Sequence, residues 1–183
     1  TIDGVPTTEM KRSTVRALFG MVLQDTWLFS GTIKENLSYG KTEAKMLEIK
    51  AATKAASIDH LIESMKGGYS ANINEDSDNI SAGEKQLLTI ARALIENPPM
   101  MILDEATSNV DTRAEAKIQE AFEKLTNGRT SFVIAHRLST IRNADLILVM
   151  RNGNIVEQGN HEQLLKKNGF YAELYNSQFA DIE

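Results

Sequence analysis

The sequence lacks several features that mark particular classes of protein. Its 183 residues contain no cysteine, three prolines and one tryptophan. The absence of cysteine excludes disulfide bonds and thiolate metal sites, and it is typical of a reducing compartment. Apolar runs such as 100–103 and 146–150 are far shorter than the roughly 20 residues of a membrane-spanning helix. The first residues show no basic segment followed by an apolar stretch, so no signal peptide is visible.

The composition is that of an ordinary globular protein with an excess of acidic side chains. Hydrophobic residues make up 42% and charged residues 25%, and the formal net charge is -5 with a pI near 5.3. The length is sufficient for one domain with a sizeable core. Because a chain of this charge has no broad basic surface, we expect no nucleic-acid partner.

Strands and helices alternate along much of the chain. Apolar runs at 18–23, 100–103 and 130–135 predict strands, while helical periodicity marks 81–96 and 112–125. This alternation predicts an α/β fold with a mainly parallel sheet covered by helices on both faces.

The remaining segments predict a helical insertion and a closing part. Two helices without an intervening strand precede an acidic stretch at 69–79 that is predicted to be a loop. Asn152-Gly153 between two short apolar runs is a hairpin signal. The predicted elements are a helical turn at 32–37, helices at 43–56, 58–65 and 138–142, strands at 146–150 and 155–157, and helices at 161–167 and 170–179.

Two adjacent carboxylates end the strand at 100–103. Asp104 and Glu105 lie where it leaves the sheet, and ligands of α/β proteins bind at the carboxyl ends of strands. Asp104 could hold Mg²⁺, and Glu105 could orient or deprotonate a water that attacks phosphorus. The alternative is a strand that runs into a polar helix cap, since strands often end in Asp or Glu.

The long helix at 81–96 begins with small and polar residues. Ser81 is a good N-cap, and Glu84 three residues later completes a capping box around Ala82 and Gly83. Free N–H groups at such a helix start also suit a phosphate. From this segment alone, a well-capped helix is the better explanation.

Gln24 and His136 follow two of the other predicted strands. The amide of Gln24 could help to coordinate Mg²⁺ or water, and the imidazole of His136 could bond a γ-phosphate. Either residue alone has an ordinary structural explanation.

Taken together, these residues form an ordered set of motifs that resembles an ATP-binding-cassette (ABC) ATPase domain. The resemblance covers nearly the whole chain, and the segment 22–33 is similar to the corresponding part of bacterial multidrug and lipid exporters. The matches are Gln24 with the Q-loop, 81–84 with the signature motif, 100–104 with Walker B, Glu105 with the catalytic carboxylate, 108–111 with the D-loop and His136 with the switch histidine.

The resemblance implies a function, a set of ligands and two partners. ATP with Mg²⁺ would be sandwiched between two cassettes, identical or different, and each nucleotide would touch the signature motif of the opposite one. Hydrolysis would power export at the cytoplasmic face of the cell membrane. The membrane domain would be contacted through the Q-loop region and Glu75, although a solvated acidic loop competes as the explanation for Asn74, Asp76 and Asp78. The implied roles are catalysis by Glu105, His136 and Gln24, nucleotide binding by Ser81, Ala82, Gly83, Glu84 and Asp111, and metal binding by Asp104 and Gln24.

The resemblance also implies a domain plan with a P-loop NTPase-like fold. Residues 1–183 would be the C-terminal part of one ABC ATPase domain, with 38–97 as the helical subdomain that carries the signature motif. Residues 1–37 and 98–183 would form the core sheet and the C-terminal helices, with the N-terminal β-subdomain of the family largely missing.

The chain departs from the family pattern at two places. It contains no Gly-x-x-x-x-Gly-Lys-Ser/Thr P-loop, because the first glycine required by Gly40-Lys41-Thr42 is replaced by Glu35. We therefore expect the P-loop upstream in the parent protein and no activity for this chain alone. The signature Leu-Ser-Gly-Gly-Gln is altered, with Ala82 and Glu84 as the main changes. A soluble ABC ATPase of DNA repair or translation is the alternative function, and the exporter-like segment 22–33 argues against it.

Overall fold

The computed structural model divides the chain into two compact units, Thr1–Ile134 and Ala135–Glu183. None of its helices is both long enough and apolar enough to cross a membrane within the described part of the chain. The structure describes residues 1–74, 79–104, 110–135 and 138–179.

Most helices and strands of the first unit lie close to where the periodicity predicts them. Short 3-10 turns at Thr7–Glu9 and Gly68–Ser70 accompany them. In chain order the elements are α1 (Arg12–Ala17), β1 (Phe19–Val22), β2 (Gly31–Thr32), α2 (Ile33–Leu37), α3 (Met46–Ala55), α4 (Asp59–Ser64), β3 (Asn72–Ile73), α5 (Ala82–Glu96), β4 (Met100–Asp104), α6 (Thr112–Thr126) and β5 (Thr130–Ile134).

A three-stranded parallel sheet in the order β1-β4-β5 forms the centre of the first unit. In its register Val22 lies opposite Leu103, and Asp104 lies opposite Ile134. The parallel sheet predicted from the alternation of strands and helices is therefore confirmed. All three strands point the same way, so their carboxyl ends meet at one edge.

One face of this sheet is buried beneath α5 and α6. Val22, Met101 and Leu103 alternate with less buried positions and join the same core cluster as Leu88 and Phe122. Side chains of successive strand residues point to opposite faces, so these three share the covered face. Burial of the apolar stripes of both helices against it holds this part of the fold together.

The opposite face of the sheet is open. Met21, Phe132 and Ile134 have 56%, 53% and 55% of their surface exposed. The prediction of a sheet covered on both faces is wrong for the described residues. The periodicity predicted buried strands, but an apolar run shows only that both faces are hydrophobic and not what packs on each.

The acidic stretch at 69–79, predicted to be a loop, contains a short strand. The two residues of β3 pair antiparallel with β2, with Ile73 opposite Gly31. Ile73 is 1% exposed, and Ile33 N donates to the Ala71 carbonyl over 3.0 Å. A ladder of two residues is too short to leave a period-2 pattern among polar neighbours. The strand could not be recognised for that reason.

The segment containing Gly40-Lys41-Thr42 is a turn. Lys41 N donates to the Ser38 carbonyl over 3.0 Å, and the next helix, α3, begins only at Met46. A P-loop needs a strand before it and a helix directly after it. The prediction that this segment is not a P-loop is confirmed.

The second unit has its own small core. The predicted hairpin is confirmed, with Asn152 and Gly153 at φ 52° and 78°, as a type I′ turn requires. Val149, Leu164 and Tyr171 form the buried cluster. Its elements are α7 (Leu138–Asn143), β6 (Ile147–Arg151), β7 (Asn154–Gly159), α8 (His161–Lys167) and α9 (Phe170–Phe179).

Candidate functional site

The sheet edge is the first place where predicted site residues meet. Asp104 is the last residue of β4, and Gln24 follows the end of β1 by two residues. The register pairs Val22 with Leu103, and neighbouring strands lie about 4.8 Å apart. The carboxylate and the amide therefore belong to the same edge. Glu105, the rest of the 105–109 segment and His136 lie outside the described residues.

Carboxylate and amide oxygens at this edge suit Mg²⁺. The described ranges hold no cluster of three or more His, Asp or Glu side chains placed to bind an ion by themselves. Mg²⁺ in phosphate-transferring sites is held by one or two carboxylates together with substrate phosphates and water, so Asp104 with Gln24 fits that donor set. Their roles stay predictions.

The start of α5 is the second place where predicted site residues lie close together. Ser81 Oγ accepts from Glu84 N over 3.4 Å, which completes the capping box predicted from the sequence. In return, the backbone N–H and the hydroxyl of Ser81 both donate to Glu84 Oε2, each over 2.8 Å. The hydroxyl proton of Ser81 is thus engaged by a carboxylate in this structure.

The two small residues of this motif have different surroundings. Ala82 is the first helical residue of α5, so its methyl group lies on ordinary helical backbone and brings no positive-φ strain. Gly83 is buried, and a Cβ there would lie 2.8 Å from Ala114 Cβ and 3.1 Å from Val110 Cγ1. The glycine allows close packing of α5 against α6.

A shallow cavity opens beside the start of α5. It has a volume of about 340 Å³, and Ser81, Glu84 and Asp111 line it together with Arg113 and Lys117. Asp111 is the N-cap of α6, and its Oδ1 accepts from the backbone N–H groups of Arg113 and Ala114 over 3.0 and 2.9 Å. The structure thus groups three predicted nucleotide-binding residues here, and Gln24 and Asp104 do not line this cavity.

Sequence reasoning missed a polar network centred on Arg92. The guanidinium bonds Asn36, which is 1% exposed, and lies over the ring of Tyr39. Burial lowers the pKa of Arg92, while the neighbouring Tyr39 and Glu96 act in the opposite direction. One signal was available: Arg92 lies four residues after the buried Leu88, on the apolar side of α5.

Comparison with known proteins identifies the family. The family model described as ABC transporter matches residues 1–108. The chain belongs to the ABC transporter family. It is 53% identical over 173 residues to a fatty acid ABC transporter ATP-binding/permease protein of Mycobacterium bovis, covering 94% of this chain and 27% of that protein. It is 47% identical over 180 residues to an ATP-dependent lipid A-core flippase of Saccharophagus degradans, covering 98% and 31% respectively.

The fold agrees with a solved ABC transporter. A bacterial Atm1-family ABC exporter with ATP bound superposes with a TM-score of 0.88 and 41% identity, over 100% of this chain and 32% of that one. The resemblance to an ABC ATPase of the exporter type and the P-loop NTPase-like α/β fold are therefore confirmed. The chain spans about 30% of the length of these relatives.

Proposed function

We propose that this chain is the ATP-hydrolysing part of an ABC exporter and works in its parent protein as one of two paired cassettes at the cytoplasmic face of the membrane. One observation supports this most strongly: the predicted residues fall into two separate groups. Gln24 and Asp104 share the sheet edge, whereas Ser81, Glu84 and Asp111 line the cavity at the start of α5. A nucleotide bound between two cassettes would contact the sheet-edge residues of one cassette and the residues at the start of α5 of the other.

The proposed chemistry is the attack of water on the γ-phosphate, prepared by the chain's own residues. Mg²⁺ bound with ATP at the sheet edge would neutralise charge on the phosphates. Asp104 and Gln24 would hold the ion, and Glu105 would orient the attacking water and accept its proton. The water oxygen then bonds to the γ-phosphorus as the bond to the bridging oxygen breaks, giving ADP and phosphate. His136 would hold the γ-phosphate.

The start of α5 would bind the γ-phosphate of the nucleotide held by the opposite cassette. The N–H groups of the first helical turn and the positive end of the helix dipole favour an anion. The Ser81 hydroxyl is the natural side-chain donor, with Ala82 and Gly83 allowing close approach. Arg113 and Lys117 add positive charge on the same cavity. Glu84 opposes this, because its carboxylate holds the Ser81 proton and repels phosphate.

The substitution Glu84→Gln in the full-length transporter is expected to raise ATP turnover at limiting ATP. A neutral amide holds the Ser81 hydroxyl less firmly and removes one negative charge. A gain of about 1 kcal/mol corresponds to roughly fivefold tighter apparent ATP binding. Steady-state ATPase assays over a range of ATP concentrations measure this. Glu48→Gln, which changes the N3 carboxylate that accepts from the backbone N–H of Lys45 at the start of α3, is the matched control. An unchanged dependence of turnover on ATP concentration in Glu84→Gln would show that the Glu84 carboxylate does not weaken ATP binding.

An aromatic cluster after the Q-loop is the proposed contact with the membrane domain. Trp27, Phe29 and Tyr39 have ring centroids 5.6–5.8 Å apart. Trp27 and Tyr39 are 57% and 59% exposed. Exposed aromatic side chains grouped in this way are typical of a protein-binding surface. Glu75, proposed for the same contact, lies outside the described residues.

The proposed cargo is a lipid-like amphiphile, as the names of two relatives indicate for those proteins. The full-length parent reconstituted in liposomes should hydrolyse ATP and move a fluorescent fatty acid or a fluorescent lipid across the bilayer. The movement should require ATP and stop when ADP replaces it. A full-length protein that binds neither ATP nor a membrane would contradict the proposed function. ATP hydrolysis without movement of either probe would contradict only the cargo class.

A further inference from the structure

Arg92 makes an unusual set of bonds for a helix side chain. From the middle of α5, its Nε donates to the Asn36 carbonyl over 2.8 Å, and Nη2 donates to Asn36 Oδ1 over 3.2 Å. Its Nη1 donates to the Trp27 carbonyl over 3.2 Å, and its Cζ lies 5.5 Å from the centre of the Tyr39 ring. The Arg92 side chain thus contacts Trp27 and Tyr39, the first and last residues of the segment that bears the aromatic cluster.

Asn36 extends this connection into the segment itself. Phe29 N donates to Asn36 Oδ1 over 3.1 Å, while Asn36 Nδ2 donates to the carbonyls of Phe29 and Thr32 over 2.9 and 3.2 Å. The Asn36 side chain is buried, so these bonds have little competition from water. The turn from Trp27 to Thr32 is therefore fixed to Asn36, and Asn36 is fixed to Arg92.

The helix carries this connection to Ser81. Arg92 and Ser81 belong to the same element, since Ser81 caps α5 and the helix continues to Glu96. The two residues are eleven positions apart, which corresponds to about 16 Å along the helix axis. An α-helix of this length moves as one body, so a force on Arg92 displaces the capping serine as well.

We infer that Arg92 is a positioning residue that couples the aromatic cluster to the signature end of α5. When the membrane domain displaces Trp27 and Tyr39, Arg92 transfers that displacement to α5 and alters how Ser81 meets the nucleotide. This inference rests on the proposed function, because it needs a membrane partner at the cluster and a nucleotide at the signature motif.

The geometry of the arginine suits this bridging role. A guanidinium presents a planar fork of donors, and Arg92 uses three nitrogens on three different acceptors. A lysine keeps the charge and most of the length but has a single nitrogen, which cannot hold all three acceptors at once. Arg92→Lys therefore separates the bridging function from the charge.

The chain provides a matched control in Arg129. It donates to the Pro98 carbonyl over 3.0 Å and to Asn97 Oδ1 over 2.9 Å, at the C-terminal end of α5. Like Arg92, it bridges a backbone carbonyl and an asparagine side chain, but its partners lie at the C-cap of the helix and far along the chain from the aromatic cluster. Arg129→Lys reports the general effect of losing such a bridge.

The experiment uses the full-length transporter in liposomes, with wild type, Arg92→Lys and Arg129→Lys compared. Basal ATPase activity, ATPase activity stimulated by the fluorescent lipid, and thermal stability are measured for each. Arg92→Lys should lower the ratio of stimulated to basal activity at least threefold, in the range of about 2- to 30-fold expected for a residue on a coupling path. Arg129→Lys should leave the ratio unchanged.

Two results would overturn the inference. One is an unchanged ratio in Arg92→Lys, and the other is an equal fall of the ratio in both variants. Tyr39→Leu provides a second variant for the case in which Arg92→Lys lowers basal activity and stability. It removes the ring but leaves the Asn36 bonds, and it should also lower the ratio. Wild-type protein that shows neither ATPase activity nor stimulation would instead contradict the proposed function.

Discussion

Replacing Glu105 by glutamine in the full-length transporter is expected to lower ATP turnover by about 10²- to 10⁴-fold, the usual contribution of a general base. Glutamine keeps the size and polarity of the side chain but cannot accept a proton from the attacking water. ATP binding should persist, because the phosphate-binding groups are unchanged. Cassettes should therefore accumulate in a closed pair with ATP between them.

Two measurements check this expectation. Steady-state ATPase assays give the loss of turnover, and gel filtration with labelled ATP shows whether nucleotide stays bound to the paired form. Glu123→Gln, an exposed glutamate of α6 away from the sheet edge, is the matched control and should retain normal turnover. Normal hydrolysis by the Glu105 variant would show that another group activates the water.

The second large effect is expected at Gly83. In Gly83→Ala, the added methyl would lie 2.8 Å from Ala114 Cβ, well inside van der Waals contact. The start of α5 must then move away from α6, at a cost of about 1–3 kcal/mol for overpacking. Ser81 moves with it, so we expect ATP turnover of the full-length transporter to fall by about tenfold, equivalent to about 1.4 kcal/mol.

A compensating substitution tests the cause directly. Ala114→Gly removes the nearest atom, and the double variant should recover most of the lost turnover. Ala114→Gly alone should cost about 1 kcal/mol of stability, because glycine is a poor helix former, with little effect on turnover. Additive losses in the double variant would mean that the contact between α5 and α6 does not explain the defect.

Much of the fold could be predicted because its signals are local. The start of α5 is marked by its capping box, Ser81 with Glu84, and the hairpin by Asn152 with Gly153. These features act within four residues of chain and are visible in the sequence. The β2–β3 pairing joins residues about 40 positions apart through a two-residue ladder, so no local pattern could reveal it.

In the candidate site, too, local contacts could be predicted from the sequence and contacts between distant residues could not. The capping box of Ser81 and Glu84 was predicted, since both partners lie on one helical turn. The bond between Arg92 and Asn36 joins residues 56 positions apart and could not be predicted from spacing. The roles of Glu105 and His136 rest on order along the chain and stay predictions.

The capping box of α5 places helix stability and phosphate binding in opposition. A negative residue at the third helical position stabilises a helix start by about 0.3–1 kcal/mol through the helix dipole. In α8, Gln163 makes the same reciprocal box with Asn160 without a charge. A glutamine thus suffices for the cap, and the carboxylate of Glu84 adds stability at the one helix start that would receive phosphate. Selection for a faster ATPase would favour the amide, and selection for a sturdier helical subdomain would keep the acid.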